Sequence, residues 1–363
     1  MKKRAWLEIS LKNIAANLKK IKQYTGKKVI ACVKASCYGL GAKRIAPYIE
    51  KFTDWLAVAT VDEGIELREA GLVKPILVLG PVLPGEVVPA VRHNLTLTIF
   101  SKPILKEISW CVNHFQKDVS VQVKVDTGMG RIGLKPAETA RFLREVKEIK
   151  GVKLEGIFTH LATAENPDRT YAHFQLGLFR EVLQDPVASS IALKHVANSA
   201  AVLNLPESWK PFDMVRVGLL MYGVYPEQRF RQILPLSCAL RGFARIVFVK
   251  QVPAGTRLSY GATYQTTKTC RIATVSLGYA DGFPRALSSK FTMRWKKKKA
   301  DVVGTICMDQ TLLDVSGLAV RTGDTVCFLR KGSVEEMARL VPTVSQEILC
   351  GLASPRLEKI YRE

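Results

Sequence analysis

The chain has 363 residues, of which 47% are hydrophobic and 24% are charged, as is ordinary for a globular protein. It has no run of about 18 apolar residues, and its basic start lacks an apolar core segment, so we expect neither a membrane span nor a signal peptide. The net charge of +22 would suit nucleic acid or a membrane surface. No nucleic-acid-binding motif surrounds the densest basic cluster, 294–299, which we predict to be a hairpin tip, and we expect neither partner.

Eight short apolar runs alternate with amphipathic helical stretches between residues 28 and 218. The helical stretches include 60–71, which ends at a glycine, and 136–149. Eight strand–helix units predict an α/β fold with a TIM-type (β/α)8 barrel, and they favour it over the alternative of a doubly wound sheet. The predicted strands are VIACVK (29–34), WLAVAT (55–60), ILVLG (76–80), LTLTIF (95–100), VSVQVKVD (119–126), KLEGIFTH (153–160), IALKHVANS (191–199) and DMVRVG (213–218).

The pattern becomes β-rich after about residue 230, with Gly and Asp turns and one short helix candidate at 333–341. We predict two domains: a barrel at 10–228, and a mainly β domain at 229–363 that includes an N-terminal strand at 1–9. The eight cysteines include no CxxC pair, and the five histidines include no HxxxH or HExxH pattern. We therefore expect reduced cysteines in a cytoplasmic protein, and no metal site.

Unusual polar residues lie at the ends of several predicted strands. Barrel enzymes place their chemistry at the C-terminal ends of the strands. Here Lys34 closes the first strand, His160 the sixth and Arg216 the eighth, while Asp126 and Arg131 follow the fifth. Each has a plain alternative, such as a lysine with its head in water, a structural histidine or an arginine in an ion pair. Their common placement on one face of the barrel favours a site.

The loops after strands seven and eight commonly bind phosphate in such barrels. Asn198 and Ser199 close the seventh predicted strand, and the eighth leads to the backbone N–H groups of Gly218 and Leu219. A hydroxyl and backbone N–H groups beside a glycine suit an anion. A phosphate site facing Lys34 suggests pyridoxal 5′-phosphate (PLP), because its aldehyde forms a Schiff base with a lysine and its phosphate needs an anchor.

Nine motifs follow one another along nearly the whole chain: VKASCYGLG, KVDTGMGRIG, FTHLATA, HVANSAA, VRVGLLMYG, LSYGATY, SLGYADGFPR, GTICMDQ and EILCGLASPR. In this order they resemble the motifs of the alanine racemases, which are PLP-dependent isomerases with an N-terminal barrel and a C-terminal β domain. The resemblance implies that the chain interconverts L-alanine and D-alanine with two bases and supplies D-alanine for peptidoglycan. It also implies a homodimer with shared active sites.

The resemblance assigns the cofactor site to the barrel. It implies that Lys34 binds PLP and acts as one base, and that Arg216 faces the pyridine nitrogen. Since arginine stays protonated and accepts no hydrogen bond, the ring would be a weaker electron sink, which would restrain transamination. The implied cofactor-binding residues are Lys34, Tyr38, Arg131, His160, Asn198, Ser199, Arg216, Gly218, Leu219 and Gln346; of these, Tyr38, Ser199 and the Gly218 and Leu219 amides would hold the phosphate.

The second base is implied to be Tyr260, which would reach the site from the other subunit of the dimer and bond to His160 there. Met308 would help to bind the substrate carboxylate from the same subunit as Tyr260, and Tyr279 would narrow the mouth of the site. Plain alternatives stay open: Tyr260 as a turn residue, and Met308 or Tyr38 as core residues.

Arg131 is implied to bond the phenolic oxygen of PLP and the substrate carboxylate. Lys124 matches a position that can carry a carbamate able to orient Arg131, and a plain salt bridge to an acid such as Asp126 is the equal alternative. Two residues depart from the family pattern. Gln346 replaces a tyrosine that reaches the phosphate and lines the pocket, so we expect a roomier, more polar pocket with some activity on serine. Thr305 replaces a common arginine, which removes one cation near the expected dimer contact.

Three other interpretations are open. A PLP-carrying barrel protein without racemase activity is typically a single domain, and the LSYGATY and CMDQ motifs disfavour it. A barrel decarboxylase or threonine-aldolase-like enzyme is disfavoured by GYADG together with the tyrosine of SYG. A nucleic-acid-binding protein would use the +22 charge.

Overall fold

Eight parallel strands close into a barrel in the computed structural model, which describes residues 3–363, as the sequence predicted. Six of the barrel strands are almost wholly buried, because helices cover the outside and side chains fill the inside, while the sixth and seventh strands of the barrel are buried only towards their C-terminal ends. An N-terminal strand, β1 (Ala5–Ser10), precedes the barrel. The barrel strands are β2 (Lys28–Cys32), β3 (Trp55–Val58), β4 (Ile76–Val78), β5 (Thr96–Ile99), β6 (Val119–Lys124), β7 (Val152–Phe158), β8 (Leu193–His195) and β9 (Met214–Val217).

Helices connect these strands, and most bury one apolar face against the barrel. The two predicted helical stretches are confirmed, and each is shorter than predicted by one to three residues. The helices are α1 (Leu11–Thr25), α2 (Ala42–Ile49), α3 (Val61–Glu69), α4 (Val87–Arg92), α5 (Lys102–Phe115), α6 (Pro136–Glu148), α7 (Thr170–Val182), α8 (Pro186–Ser189) and α9 (Ser199–Asn204).

The strands end earlier than the apolar runs suggested. Strand β2 ends at Cys32, so Lys34 lies two residues beyond the strand rather than closing it. Strand β8 ends at His195; Asn198 caps α9 by accepting a hydrogen bond from the Ala201 N–H at 2.9 Å, and Ser199 is the first residue of that helix. Strand β7 likewise ends at Phe158, two residues before His160. The predictions that Lys34, His160, Asn198 and Ser199 close strands were therefore wrong. The chain leaves the barrel before these residues, which places their side chains at its rim.

The C-terminal part is mainly β, as predicted, and most of its strands form one sheet with β1. The sheet order is β13-β16-β15-β14-β17-β10-β1-β18, and a further pairing of β10 with β13 closes six of these strands on themselves. The strands are β10 (Leu240–Val252), β11 (Arg257–Leu258), β12 (Tyr264–Gln265), β13 (Cys270–Val275), β14 (Thr292–Trp295), β15 (Lys298–Val302), β16 (Thr311–Asp314), β17 (Thr325–Leu329) and β18 (Glu358–Arg362). Strands β11 and β12 form a separate two-stranded ladder.

Two helices lie in the C-terminal part, of which the sequence predicted one, α10 (Ser333–Leu340). The second, α11 (Ser345–Leu352), buries Ile348, Leu349 and Leu352. Strand β1 pairs with both β10 and β18, so it belongs to the C-terminal sheet although it begins the chain. The division of the chain between residues 228 and 229 stays a prediction.

The basic cluster at 294–299 lies across the β14–β15 hairpin, as predicted. All eight cysteines are free thiols. Four are buried, three are partly buried, and Cys350 is exposed. Within residues 3–363 no helix is both long and apolar enough to cross a bilayer.

Candidate active site

A cavity of about 450 Å³ opens at the C-terminal ends of the barrel strands and extends to α11. Its volume lies within the roughly 300–1,000 Å³ that is usual for ligand pockets. Eleven of the residues singled out in the sequence line it together: Lys34, Tyr38, Lys124, Arg131, His160, Asn198, Ser199, Arg216, Gly218, Leu219 and Gln346.

Lys34 is followed by a left-handed turn. Ala35, Ser36, Cys37 and Tyr38 have φ angles of 49°, 50°, 57° and 59°, a region that residues with a Cβ rarely adopt. The turn brings Lys34 and Tyr38 to the same cavity, although three residues lie between them in the chain. The sequence motif gave no sign of this conformation.

The side of the cavity predicted to hold the phosphate combines a close backbone approach with hydroxyl groups. The Gly218 N–H donates to Ser199 Oγ at 3.1 Å. A Cβ on Gly218 would lie 2.1 Å from Tyr38 Oη, so only glycine fits there. Burial raises the pKa of Tyr38, which therefore keeps its hydroxyl proton. Tyr38 also packs edge-on against Tyr222, with ring centroids 5.8 Å apart. Its ring therefore packs in the core while it also lines the cavity.

Arg216 is buried on the floor of the cavity and its terminal nitrogens are fully used. Nη1 donates to His195 Nδ1 at 2.7 Å, and Nη2 approaches His160 Nδ1 at 3.1 Å. Nη2 also donates to the carbonyls of Thr159 at 2.8 Å and Val196 at 2.9 Å. Among residues 3–363 none accepts from Nε–H or forms an ion pair with Arg216, so the ion-pair alternative is wrong.

These contacts fix the protons on the two imidazoles. Arginine only donates, so His160 and His195 both accept at Nδ1 and carry their proton on Nε2. His195 Nε2–H then donates to Gln122 Oε1 at 2.7 Å. Burial first, and the neighbouring Arg216 second, lower the pKa of both histidines well below 6.5, so both rings are neutral. Burial lowers the pKa of Arg216 to about 10, which leaves it protonated at neutral pH.

Lys124 is 2% exposed and lies over the Phe158 ring, with Nζ 5.3 Å from the ring centroid. Burial, reinforced by Arg216 and Arg131, lowers the pKa of Lys124 to about 7. A salt bridge from Lys124 to Asp126 does not form; Asp126 Oδ1 instead accepts three backbone N–H bonds, from residues 128–130 at 2.8–3.1 Å. Asp126 therefore shapes the loop that leads to Arg131, and the salt-bridge alternative is wrong.

Three predicted residues lie outside the cavity and form an exposed C-terminal cluster: Tyr260, Tyr279 and Met308. Their exposed fractions are 70%, 41% and 52%. The cluster is held together by the segment that contains Met308, since the Tyr279 N–H donates to the Cys307 carbonyl at 3.0 Å. Exposed side chains of this size exclude the core alternative for Met308. Tyr260 does lie in a turn, as its alternative reading proposed.

Three residues of the barrel interior were not predicted from the sequence. Gln122 and His195 extend the hydrogen-bonded chain from Arg216, and Phe158 stacks on His195 with ring centroids 4.8 Å apart. A signal existed for Gln122, because it alternates with valines in VQVKV just as Lys124 does. Two polar residues at period two in a buried strand point into the barrel.

Comparison with known proteins places the chain in a family. The family model described as "Alanine racemase, N-terminal domain" matches residues 9–226, and "Alanine racemase, C-terminal domain" matches 239–361. The chain is 40% identical to an alanine racemase of Desulforamulus reducens, with 99% of this chain and 100% of that protein covered. It is 37% identical to an alanine racemase of Methanococcus maripaludis, with 98% of each covered.

Solved structures agree with these sequence matches. The alanine racemase of the D-cycloserine-producing Streptomyces lavendulae superimposes with a TM-score of 0.94 at 30% identity, covering 100% of this chain and 98% of that one. The alanine racemase of Clostridium difficile 630 gives 0.91 at 35% identity, covering 100% and 97%. Both matches cover the barrel and the C-terminal sheet together. The chain therefore belongs to the alanine racemase family.

Proposed function

We propose that this chain interconverts L-alanine and D-alanine with PLP as its cofactor, in the cytoplasm, where its eight free thiols would stay reduced. The D-alanine would supply peptidoglycan synthesis. The observation that carries the proposal is the single cavity, in which Lys34, the Ser199–Gly218 phosphate cradle and Arg216 meet. A lysine, an anion cradle and a ring-facing donor are the three groups that PLP needs.

The residues of the cavity fit PLP. Ser199 and the Gly218 and Leu219 amides would hold its phosphate, with the Tyr38 hydroxyl 2.1 Å from where a Gly218 side chain would begin. The Nε–H of Arg216 would donate to the pyridine nitrogen. When bound, PLP withdraws electrons from the substrate Cα and so acidifies its proton.

Arg216 limits that electron withdrawal. Its guanidinium carries the proton and cannot accept one, so it supports a neutral ring nitrogen. Its two terminal nitrogens lie within hydrogen-bond distance of two imidazole nitrogens and three carbonyl oxygens, which fix the guanidinium in place. The fixed donor would shorten the lifetime of the carbanion and restrain transamination.

Two bases, one on each face of the substrate Cα, carry out racemisation directly, whereas a single base would have to swing from one face to the other. Lys34 would serve one face. Tyr260 would serve the other from a second copy of the chain, because within its own chain it is 70% exposed and outside the cavity. His160 Nε2–H, in the cavity, would donate to the Tyr260 hydroxyl of that second copy. Arg131 would bind the substrate carboxylate, with Met308 beside it and Tyr279 at the mouth.

Serine is a second substrate that one observation favours. Gln346 lies at the mouth of the cavity next to Val344 and Glu347, and its amide can both donate to and accept from a substrate hydroxyl. We expect alanine to remain the better substrate.

The test begins with the absorbance spectrum of the purified protein and a D-amino-acid-oxidase-coupled assay on L-alanine. Lys34→Ala and Tyr260→Phe should each abolish racemisation. When the two inactive proteins are mixed and allowed to exchange subunits, roughly a quarter of wild-type activity should return, since half the dimers are mixed and each has one intact site. No recovery despite proven exchange would overturn the shared site, and a colourless, inactive wild type would overturn the function.

A further inference from the structure

The left-handed turn after Lys34 is costly. A left-handed conformation costs roughly 1–2 kcal/mol for each residue that has a Cβ, and four such residues follow one another at 35–38. Backbone strain of this kind persists only where surrounding groups hold it, and it is concentrated at functional sites. We infer that Glu63 is a positioning residue: its carboxylate holds the start of this turn and thereby aims Lys34 into the cavity.

Glu63 bridges the backbone segments that follow two neighbouring barrel strands, β2 and β3. One carboxylate oxygen accepts from the Ala35 N–H at 2.7 Å, and the other accepts from the Ala59 N–H at 2.7 Å. Ala35 directly follows Lys34, and Ala59 directly follows β3. Both bonds are charge-assisted, which makes them stronger than neutral ones.

The local sequence explains why Glu63 is fixed there. Thr60 caps α3, and its hydroxyl accepts from the Glu63 N–H at 3.3 Å. Glu63 is thus in the first helical turn, where a carboxylate is favoured. Its side chain extends back across the end of β3 towards the turn, in the manner of a capping box that reaches a neighbouring strand.

Other groups hold the far end of the turn. The Tyr222 hydroxyl donates to the Cys37 carbonyl at 3.2 Å, and the Tyr361 hydroxyl donates to the Leu40 carbonyl at 2.8 Å. At the end of the turn next to Lys34, the Glu63 carboxylate accepts the Ala35 N–H, and no other side chain within residues 3–363 bonds to the turn backbone there. Without the carboxylate, the Ala35 peptide could rotate, and the Lys34 side chain would lose its direction.

The test uses Glu63→Gln in the full-length protein, with Asp62→Asn as the matched control. Asp62 also lies in the first turn of α3 and is exposed, so its replacement removes the same charge from the same helix end. Glutamine keeps one acceptor but places an NH2 group against a backbone N–H. Amide hydrogen exchange at residue 35, measured without substrate, should accelerate by at least about tenfold in Glu63→Gln and not in Asp62→Asn.

The inference rests on the base role proposed for Lys34, and kinetics test that link separately. In Glu63→Gln we expect kcat for alanine to fall about 10- to 100-fold with KM within about twofold, because the base is misaimed while the substrate still binds. Formate should restore part of kcat in Glu63→Ala, since a cavity of about 310 Å³ beside Glu63, Ala35 and Ser36 can admit it. Chloride at equal ionic strength should not.

The outcomes separate the two proposals. Unchanged exchange at residue 35, or kinetics equal to those of Asp62→Asn, would overturn the role of Glu63. Faster exchange at residue 35 in Glu63→Gln, together with a wild type that does not racemise alanine, would support the role of Glu63 in holding the turn and overturn the proposed function. If the fall in kcat is accompanied by a lower melting temperature and formate restores no activity, Glu63 is only structural.

Discussion

The hydroxyl of Thr305 donates a hydrogen bond to the backbone carbonyl of Tyr260 over 2.9 Å. Thr305 is 8% exposed and also contacts the Thr263 hydroxyl at 3.3 Å. The turn that it holds is strained, since Ser259 and Ala262 have φ angles of 62° and 49°. From the sequence, Thr305 stood out only because it replaces a common arginine, which removes one cation near the expected dimer contact. In the structure, its side chain supports the backbone of Tyr260, the proposed second base.

Thr305→Val should therefore impair catalysis more than folding. It removes one hydrogen bond worth about 0.5–1.5 kcal/mol, so we expect kcat to fall about two- to tenfold while KM changes little. Steady-state kinetics in both directions measure this, together with the melting temperature. Thr305→Ser keeps the hydroxyl and should retain activity, and Thr263→Val is the control that leaves the Tyr260 carbonyl bonded. Equal kcat for Thr305→Val and Thr263→Val would contradict the role.

The two neutral imidazoles beside Arg216 predict how stability depends on pH. The unfolded chain protonates histidine near pH 6.5, whereas the pKa values of His160 and His195 lie well below that in the folded protein. Between these values the unfolded chain binds more protons. Stability is therefore full above about pH 6.5 and falls as pH decreases below it, by up to about 1.4 kcal/mol per pH unit for each ring.

His195→Gln should flatten this acid-side loss, because glutamine can keep a hydrogen bond to Arg216 but does not titrate. Melting temperatures measured from pH 8 to pH 5 give the slope of stability against pH for each protein. This slope can be compared even if the variant has a different melting temperature at pH 8. His114→Gln is the control, since His114 is exposed on α5 and stacks on Trp110. An acid-side slope in His195→Gln as steep as in wild type would contradict the assignment.

The barrel could be predicted from the sequence because its eight strands are short, mostly apolar runs that alternate with helical stretches, and this period and spacing are local properties. Most of the cavity was also predictable, since polar residues such as Lys34 and Arg216 interrupt or follow those runs. The left-handed turn was not, because the conformation of Ala35 is imposed by Glu63, 28 residues away. The hydrogen bond of Thr305 was not predictable for the same reason: its partner, Tyr260, is 45 residues away in the chain.

Lys124 should react with carbon dioxide. Its pKa of about 7 leaves much of the amine neutral at neutral pH, and the neutral amine adds to CO2 to give a carbamate and one proton. The resulting anion would face Arg131 and Arg216, whose charges lower the pKa of the unmodified lysine. Because deprotonation must come first, the modified fraction should rise as pH increases through about 7.

A carbon-13 NMR spectrum of the protein in labelled bicarbonate measures this modification. We expect a carbamate resonance in wild type that disappears in Lys124→Ala. Lys153→Ala is the control, because a hydrogen bond to Asp118 raises the pKa of the exposed Lys153 and keeps that amine protonated. A resonance that survives in Lys124→Ala, or none in wild type, would contradict the prediction.

Gln346→Tyr should shift the substrate preference of the cavity towards alanine. The exposed amide at the first turn of α11 lies at the cavity mouth, where a tyrosine ring would fill space and remove one polar partner for a serine hydroxyl. A single such change is worth about 1–3 kcal/mol, so the ratio of kcat/KM for L-alanine to that for L-serine should rise about 5- to 150-fold. Glu347→Gln, which alters the neighbouring side chain without enlarging it, should leave the ratio near the wild-type value. If wild type and Gln346→Tyr discriminate equally, the glutamine does not set the preference, and the side-chain pocket must be bounded by the barrel residues instead.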